Sequence, residues 1–147
     1  MDFKSYTGTD TINIKVMTLN VNGFFSKEES IKDLINKNDV DVACLQETKA
    51  VNLLQLKLPD YDVHHLSPVD PKEKVRPCHG TAILIKKKFE AERISPLTSP
   101  KDISIECYSR IISLKIPDFD MAVTTIYAPA VRTDISPEQN MDRLEDC

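Results

Sequence analysis

The 147 residues are enough for one domain with a real core and too few for two. Hydrophobic residues make up 41% and charged residues 29%, a globular balance, and no apolar run nears the ~20 residues needed to cross a bilayer. The formal net charge of −4 excludes a strongly cationic protein that grips nucleic acid by charge alone. Cys44, Cys78, Cys107 and Cys147 are too widely spaced for a zinc ribbon or a redox CxxC pair, and the N-terminus has no apolar signal core. A reduced, intracellular protein, nuclear or cytoplasmic and without a membrane partner, is the expectation.

After a tail over residues 1–11, Ile12, Ile14 and Val16 alternate with polar residues and run into Met17 and Leu19, which predicts a strand. Ser26-Lys27-Glu28-Glu29 has the S-x-x-E form of a capping box and predicts a helix with Ile31, Leu34 and Ile35 on one buried face. Asn36 to Asp39 ends it, and Val40 to Leu45 is the next strand, with Cys44 as a small buried hydrophobe. Strand, short helix and strand in that order imply two parallel neighbours joined by a right-handed crossover. Asn52 to Leu58 reads as a short helix, Tyr61 to Leu66 as a strand and Pro68 to His79 as a charged, proline-broken loop. Gly80 to Ile85, Ile103 to Tyr108, Arg110 to Ile116 and Met121 to Tyr127 read as strands, the last two joined by a turn at Pro117 to Asp120. Ser136, Pro137 and Gln139 announce a further helix near the C-terminus. The whole predicts an α/β domain with a mixed sheet.

Two apolar runs end in polar groups, one in Asn20-Val21-Asn22-Gly23 and the other in Gln46-Glu47-Thr48. In parallel sheets the C-terminal strand ends are where sites form. A carboxylate there is a hard oxygen ligand of the kind Mg²⁺ prefers. Lys72, Lys74 and Arg76 in one loop, with Lys86-Lys87-Lys88 closing a strand, suggest a local basic rim, against the plainer reading of a solvated face. His64 and His65 with Cys78 and His79 invite a zinc reading, but adjacent strand residues face opposite sides and zinc needs four converging ligands. Glu47 as a carboxylate capping a turn, and Tyr127 as a core tyrosine, are the bland alternatives.

Five ordered segments together resemble the endonuclease/exonuclease/phosphatase superfamily, with the likeness greatest to apurinic-type endonuclease domains of LINE-type retrotransposons. They are Thr18 to Gly23, Cys44 to Lys49, Gly80 to Ile85, Arg110-Ile111-Ile112 and Ile126 to Pro129. The resemblance implies a four-layer α/β sandwich of two packed mixed sheets flanked by helices, truncated here at its C-terminal side, so that residues 1–147 form one incomplete domain. It implies metal-dependent hydrolysis of phosphoester bonds, with DNA the favoured partner over RNA. Glu47 would hold Mg²⁺ or Mn²⁺ with Asn20; Tyr127 and Asn20 would act on the scissile phosphate; Asn22 would lie along the substrate, and His79, from its own place beside Gly80, is read as near the substrate groove. Arg110 matches a motif arginine of structural type.

Two departures stand beside the likeness. Ala130 occupies a position where the family often has asparagine. No Asp-x-Asn follows Tyr127 and no histidine follows His79, so a general base, worth ~10²–10⁴-fold in rate, is missing from the 147 residues. The expectation is metal binding with little or no turnover, and self-association through sheet edges left uncovered. A noncatalytic interaction module keeping the fold, or a phosphatase or RNA deadenylase of the same superfamily, are the other readings.

Overall fold

The alternating run before Asn20 and the apolar run before Glu47 become neighbouring strands. Val16–Asn20 forms β1 and Val42–Gln46 forms β2, parallel and in register from Val16 opposite Val42 to Asn20 opposite Gln46. The structure, a computed structural model, describes residues 13–51, 53, 56, 58–66, 79–94 and 110–127. A 3-10 turn, Phe25–Lys27, and a helix α1, Glu28–Lys37, carry the chain between the two strands. Tyr61–Leu66 forms β3 and Thr81–Lys86 forms β4, and β4 runs antiparallel to both β2 and β3. The sheet order is β1-β2-β4-β3, a mixed sheet as the pattern predicts.

A second sheet stacks on the first. It contains β5 (Glu92–Ile94), β6 (Ile111–Ile116) and β7 (Met121–Ile126) in the order β5-β6-β7, antiparallel throughout. The hairpin between β6 and β7 turns through a 3-10 segment at Pro117–Phe119, which Asp120 closes in a left-handed conformation at φ 46°. Inside the sandwich β7 lies over β2 and β4, while β6 lies over β4 and β3. Strands β1 and β7 are therefore on the same side, each at the end of its sheet among the described residues.

Period-two alternation in β2 divides the core. Ala43 and Leu45 join Ile31 and Ile35 of α1, together with Phe24, Leu53, Tyr61 and Leu84. Val42 and Cys44 join Ile83, Ile85, Phe89, Ile112, Leu114 and Ile116 between the sheets. Both faces of β2 and β4 are buried, which is why their sequences read as continuous apolar runs. Each such Leu or Ile contributes about 1.5–3 kcal/mol of burial. Cys44 is buried as expected, and desolvation pushes its thiol up to about 11.

Several local expectations change. Ser26 does not cap a helix: its hydroxyl donates back to the Gly23 carbonyl at 3.2 Å, and α1 starts at Glu28 without a side-chain cap. The turn from Val21 to Phe24 is zipped to the β2 loop, so Ser26 is already committed to a 3-10 turn. Leu34 is 40% exposed rather than on the buried face with Ile31 and Ile35. Leu53, Leu56 and Leu58 are not helical; Leu56 N–H reaches Leu53 O and Tyr61 N–H reaches Leu58 O, a chain of turns. Crowded leucines bury there without a 3.6 period, since Leu53 and Leu58 both enter the core. Ile12, the 67–78 loop with Lys72, Lys74 and Arg76, the strand at 103–108, Ala130 and the helix at Ser136 lie outside the described residues.

Lys86 and Lys88 are not free members of a basic rim. They converge on the buried Asp41, with Nζ to Oδ1 distances of 3.0 and 2.9 Å, and Lys86 also meets Asp39 at 2.6 Å. The Lys15 backbone N–H adds a 3.0 Å bond to Asp41 Oδ2, which ties the chain entering β1 to the start of β2. Desolvation of Asp41 is outweighed by that N–H and the two ammonium groups, so its carboxyl is lowered to about 2, while Lys86 is raised to about 12. A depressed carboxyl stabilises the fold above its unfolded pKa, and the contribution fades as pH falls through its folded one. The shift from 3.8 to about 2 corresponds to about 2 kcal/mol. Urea unfolding should show Asp41→Asn less stable than the parent by at least that much at pH 7, with the gap closing between pH 4 and pH 2.

Candidate active site at the joined strand ends

Beyond the last paired residues of β1 and β2, the chain does not splay apart. Val21 N–H bonds Gln46 O, Gly23 N–H bonds Glu47 O and Phe24 N–H bonds Thr48 O, at 2.9, 2.8 and 2.8 Å. On the other side Thr48 N–H bonds Gly80 O at 3.0 Å and Lys49 N–H bonds His79 O at 2.7 Å. The segment from Glu47 to Lys49 is thus held between the loop after β1 and the entry to β4. Three loops distant in sequence become one rigid rim.

The cost of that rim is in backbone conformation. Asn22, Glu47, Lys49 and His79 all have positive φ, at 44°, 52°, 50° and 69°, alongside Gly23 and Gly80. Outside the rim only Asp39 and Asp120 do so among the described non-glycine residues, and both close turns. A left-handed L-residue costs roughly 1–2 kcal/mol, and such strain gathers at functional sites.

Side chains converge on Glu47. Asn20 Nδ2 donates to Glu47 Oε1 at 2.9 Å, and Asn20 Oδ1 accepts the Asn22 backbone N–H at 3.1 Å. Lys49 Nζ donates to Asn22 Oδ1 and stands 3.8 Å from Glu47 Oε2. The Tyr127 hydroxyl, at the end of β7 in the second sheet, hydrogen-bonds the Glu47 carboxylate. The His79 ring lies against Tyr127, centroids 5.5 Å apart and tilted by 34°. Partial burial pushes the Glu47 carboxyl up, but the hydrogen bonds from Asn20 and Tyr127 and the nearby Lys49 and His79 outweigh it, leaving it lowered and ionised at neutral pH.

All five residues singled out from sequence therefore meet in one place: Asn20, Asn22, Glu47, His79 and Tyr127. Asn20 orients the carboxylate through its amide nitrogen while its oxygen holds the Asn22 loop. Lys49 and Gln46 belong to the cluster and carried no assigned role. Gln46 Nε2 donates to Thr18 Oγ1 at 3.1 Å and to Thr125 Oγ1 at 2.7 Å, joining β1, β2 and β7 across the sheets. Their place within Gln46-Glu47-Thr48-Lys49 was the available signal. His64 pairs with Ile83 and His65 with Ala82, on opposite faces of the sheet; His65 Nε2 meets Thr48 Oγ1 at 3.3 Å, and burial lowers His65 to about 4. Among the described residues no three His, Cys, Asp or Glu side chains converge as a metal cage.

As a donor set, one ionised carboxylate flanked by amides and a tyrosine hydroxyl fits Mg²⁺. That ion is commonly held by one or two carboxylates together with water and substrate phosphate.

A sequence model of the endonuclease/exonuclease/phosphatase family matches residues 17–145. No curated protein sequence matches the chain. Among solved structures it is similar to an AP endonuclease from Archaeoglobus fulgidus, at 26% identity and a TM-score of 0.60, over 90% of this chain and 49% of that one. A 3′ phosphatase from Neisseria bound to product DNA hairpin matches at 18% identity and 0.60, over 91% and 48%. An AP endonuclease from Leishmania major matches at 18% and 0.62, over 89% and 44%. The chain spans about half the length of the structures it matches.

The strain at Glu47 separates the backbone from the side chain. Glycine at position 47 relieves the left-handed penalty that alanine keeps. Thermal or urea unfolding should find Glu47→Gly more stable than Glu47→Ala by about 1 kcal/mol; equal stabilities would mean that the rim does not impose φ there.

Proposed function

Because the chain belongs to the endonuclease/exonuclease/phosphatase family, we propose that it carries the metal- and phosphate-binding half of a phosphodiester hydrolase of apurinic or retroelement endonuclease type. The observation that carries this reading is the Glu47 carboxylate, ionised and held by Asn20 and Tyr127 where the two sheets meet. The 26% identity with an AP endonuclease and the DNA hairpin bound by a structural neighbour favour DNA as partner. Glu47 would hold Mg²⁺ or Mn²⁺, which supplies charge neutralisation on phosphate oxygens and stabilises the leaving oxyanion.

The protein's own groups then have distinct tasks. Asn20 keeps the Glu47 carboxylate turned toward the rim. Tyr127 donates its one hydroxyl proton to that carboxylate and would turn it to a phosphate oxygen when one is bound. Asn22 and His79, held by the loops on either side, line the approach. Within these 147 residues no Asp-x-Asn follows Tyr127 and no histidine follows His79, so none of the residues named here is assigned the task of taking a proton from water. Among the described residues β1 and β7 end their sheets, with Val16 56% and Ile126 60% exposed, which supports association between copies of this single domain that sedimentation can measure.

One observation favours a second reading. Lys49 Nζ lies 3.8 Å from Glu47 Oε2 and already supplies the carboxylate with a positive partner. An interaction module that keeps the fold without a metal would look like this. Titration with Mn²⁺, followed by electron paramagnetic resonance, separates the two: binding lost in Glu47→Gln supports the hydrolase half, and no binding at millimolar Mn²⁺ supports the module. With Mg²⁺ and a duplex containing an abasic site, cleavage should stay within about tenfold of background. Vigorous cleavage that Glu47→Ala abolishes would overturn the assignment of a nonturning half.

A further inference from the structure

Arg110 is 5% exposed, and two of its guanidinium nitrogens, Nε and Nη2, are buried without any hydrogen-bond partner. It forms no ion pair among the described residues. Buried arginines are nearly always paired, because a charged group stripped of water and left without acceptors costs several kcal/mol. Among the described residues this cost is removed neither by exposing the group nor by placing a carboxylate against it.

Its position explains what the cation faces. The β6–β7 ladder continues one step past Ile111 and Ile126, through a 2.9 Å bond from Tyr127 N–H to Arg110 O. Arg110 and Tyr127 therefore stand directly opposite each other. By strand alternation Arg110 shares its face with Ile112 and Leu114, the face turned toward the first sheet. Tyr127 shares that face and reaches Glu47. Cross-strand neighbours on one face have Cβ atoms about 4.5–5.5 Å apart. Arg110 is thus the cross-strand neighbour of Tyr127 on the inner face, at the end of the sandwich that holds the Glu47 rim.

We infer that Arg110 is a phosphate seat, its unpaired N–H groups binding non-bridging oxygens of a phosphate group that lies between Arg110, Tyr127 and Glu47. This inference rests on the hydrolase reading for its choice of anion. A planar guanidinium offers two parallel donors that match two oxygens of a phosphate or a carboxylate. Phosphate is favoured because the same anion would meet the tyrosine hydroxyl on one side and the cation of Glu47 on the other. The sequence-level assignment of Arg110 as structural then gives way to a binding role, and its buried charge is unbalanced until the ligand arrives.

The two roles predict opposite effects of replacing the charge. A structural arginine stabilises the free protein; a seat kept for an anion destabilises it. Thermal melts of the full chain, with EDTA present, should show a rise in Tm of roughly 5 °C with inorganic phosphate at saturating concentration. A duplex oligonucleotide with only internal phosphodiesters and one ending in a 3′-phosphate give two further arms, which separate a backbone source from a terminal or free phosphate. Arg110→Met should melt at or above the parent temperature without ligand and lose the response in every arm. Arg110→Lys, which keeps the charge and loses the fork, should fold and bind the responding probe at least about tenfold more weakly. The proposal is overturned if Arg110→Met unfolds or melts well below the parent, if Arg110→Lys binds as tightly as the parent, or if no arm shifts the parent. Mn²⁺ binding through Glu47 is read separately: its loss alongside an Arg110-dependent phosphate shift would sink the metal reading and leave the seat standing, and the reverse pattern would sink the seat alone.

Discussion

The in-register parallel pairing of β1 with β2 is the constraint from which the site follows. Pairing Asn20 with Gln46 sets both chains to leave the sheet at the same level. The backbone hydrogen bonds from Val21, Gly23 and Phe24 to Gln46, Glu47 and Thr48 then continue the contact into the loops. A one-residue slip would exchange the faces of β1 and carry Asn20 away from Glu47. Asp41 guards against such a slip at the other end, where it fixes the chain at Lys15 and collects the ammonium groups of Lys86 and Lys88. Polar closure at one end and polar chemistry at the other bracket an apolar centre.

The two ends manage charge differently. Around Asp41 the carboxylate is matched by several cations, and the group is firmly ionised. Around Glu47 the carboxylate is held mainly by neutral donors, Asn20 and Tyr127, with Lys49 at a looser 3.8 Å. A carboxylate satisfied by neutral hydrogen bonds keeps its negative charge available to a cation; one surrounded by ammonium groups does not. That difference, rather than burial, separates a structural acid from a candidate ligand in this chain.

Much of the framework was legible because it depends on periodicity. The continuous apolar runs at Val42 to Leu45 and Ala82 to Ile85 announce strands buried on both faces, and the strand–helix–strand order announces a parallel pair. That Asn20, Glu47 and Tyr127 lie together was legible only through motif likeness, since they are separated by up to 107 positions and no local pattern links them. What sequence hid was competition between local bonding options. Ser26 could serve a helix N-terminus or the Gly23 carbonyl, and the tertiary zipper of the Asn22 loop favoured the second. Leu34 has helical spacing, yet the buried face of α1 is narrow and is filled by Ile31 and Ile35. Nothing in the identities of Glu47, Lys49 or His79 signals a left-handed backbone; the three-loop rim imposes it. Arg110 reads as structural from its motif, and nothing in the sequence signals that its Nε and Nη2 would be buried without a hydrogen-bond partner.

Glu47 and Tyr127 belong to different sheets, and Gln46, donating to Thr18 and Thr125, is the bolt between them. The geometry of the Glu47–Tyr127 pair is therefore a property of how two slabs are registered, not of either slab. Conditions that leave both sheets hydrogen-bonded but loosen their interlock would preserve the far-ultraviolet dichroism while the tyrosine drifts off the carboxylate. Secondary structure content would then overstate how far the pair is intact, and near-ultraviolet tyrosine signals would track it.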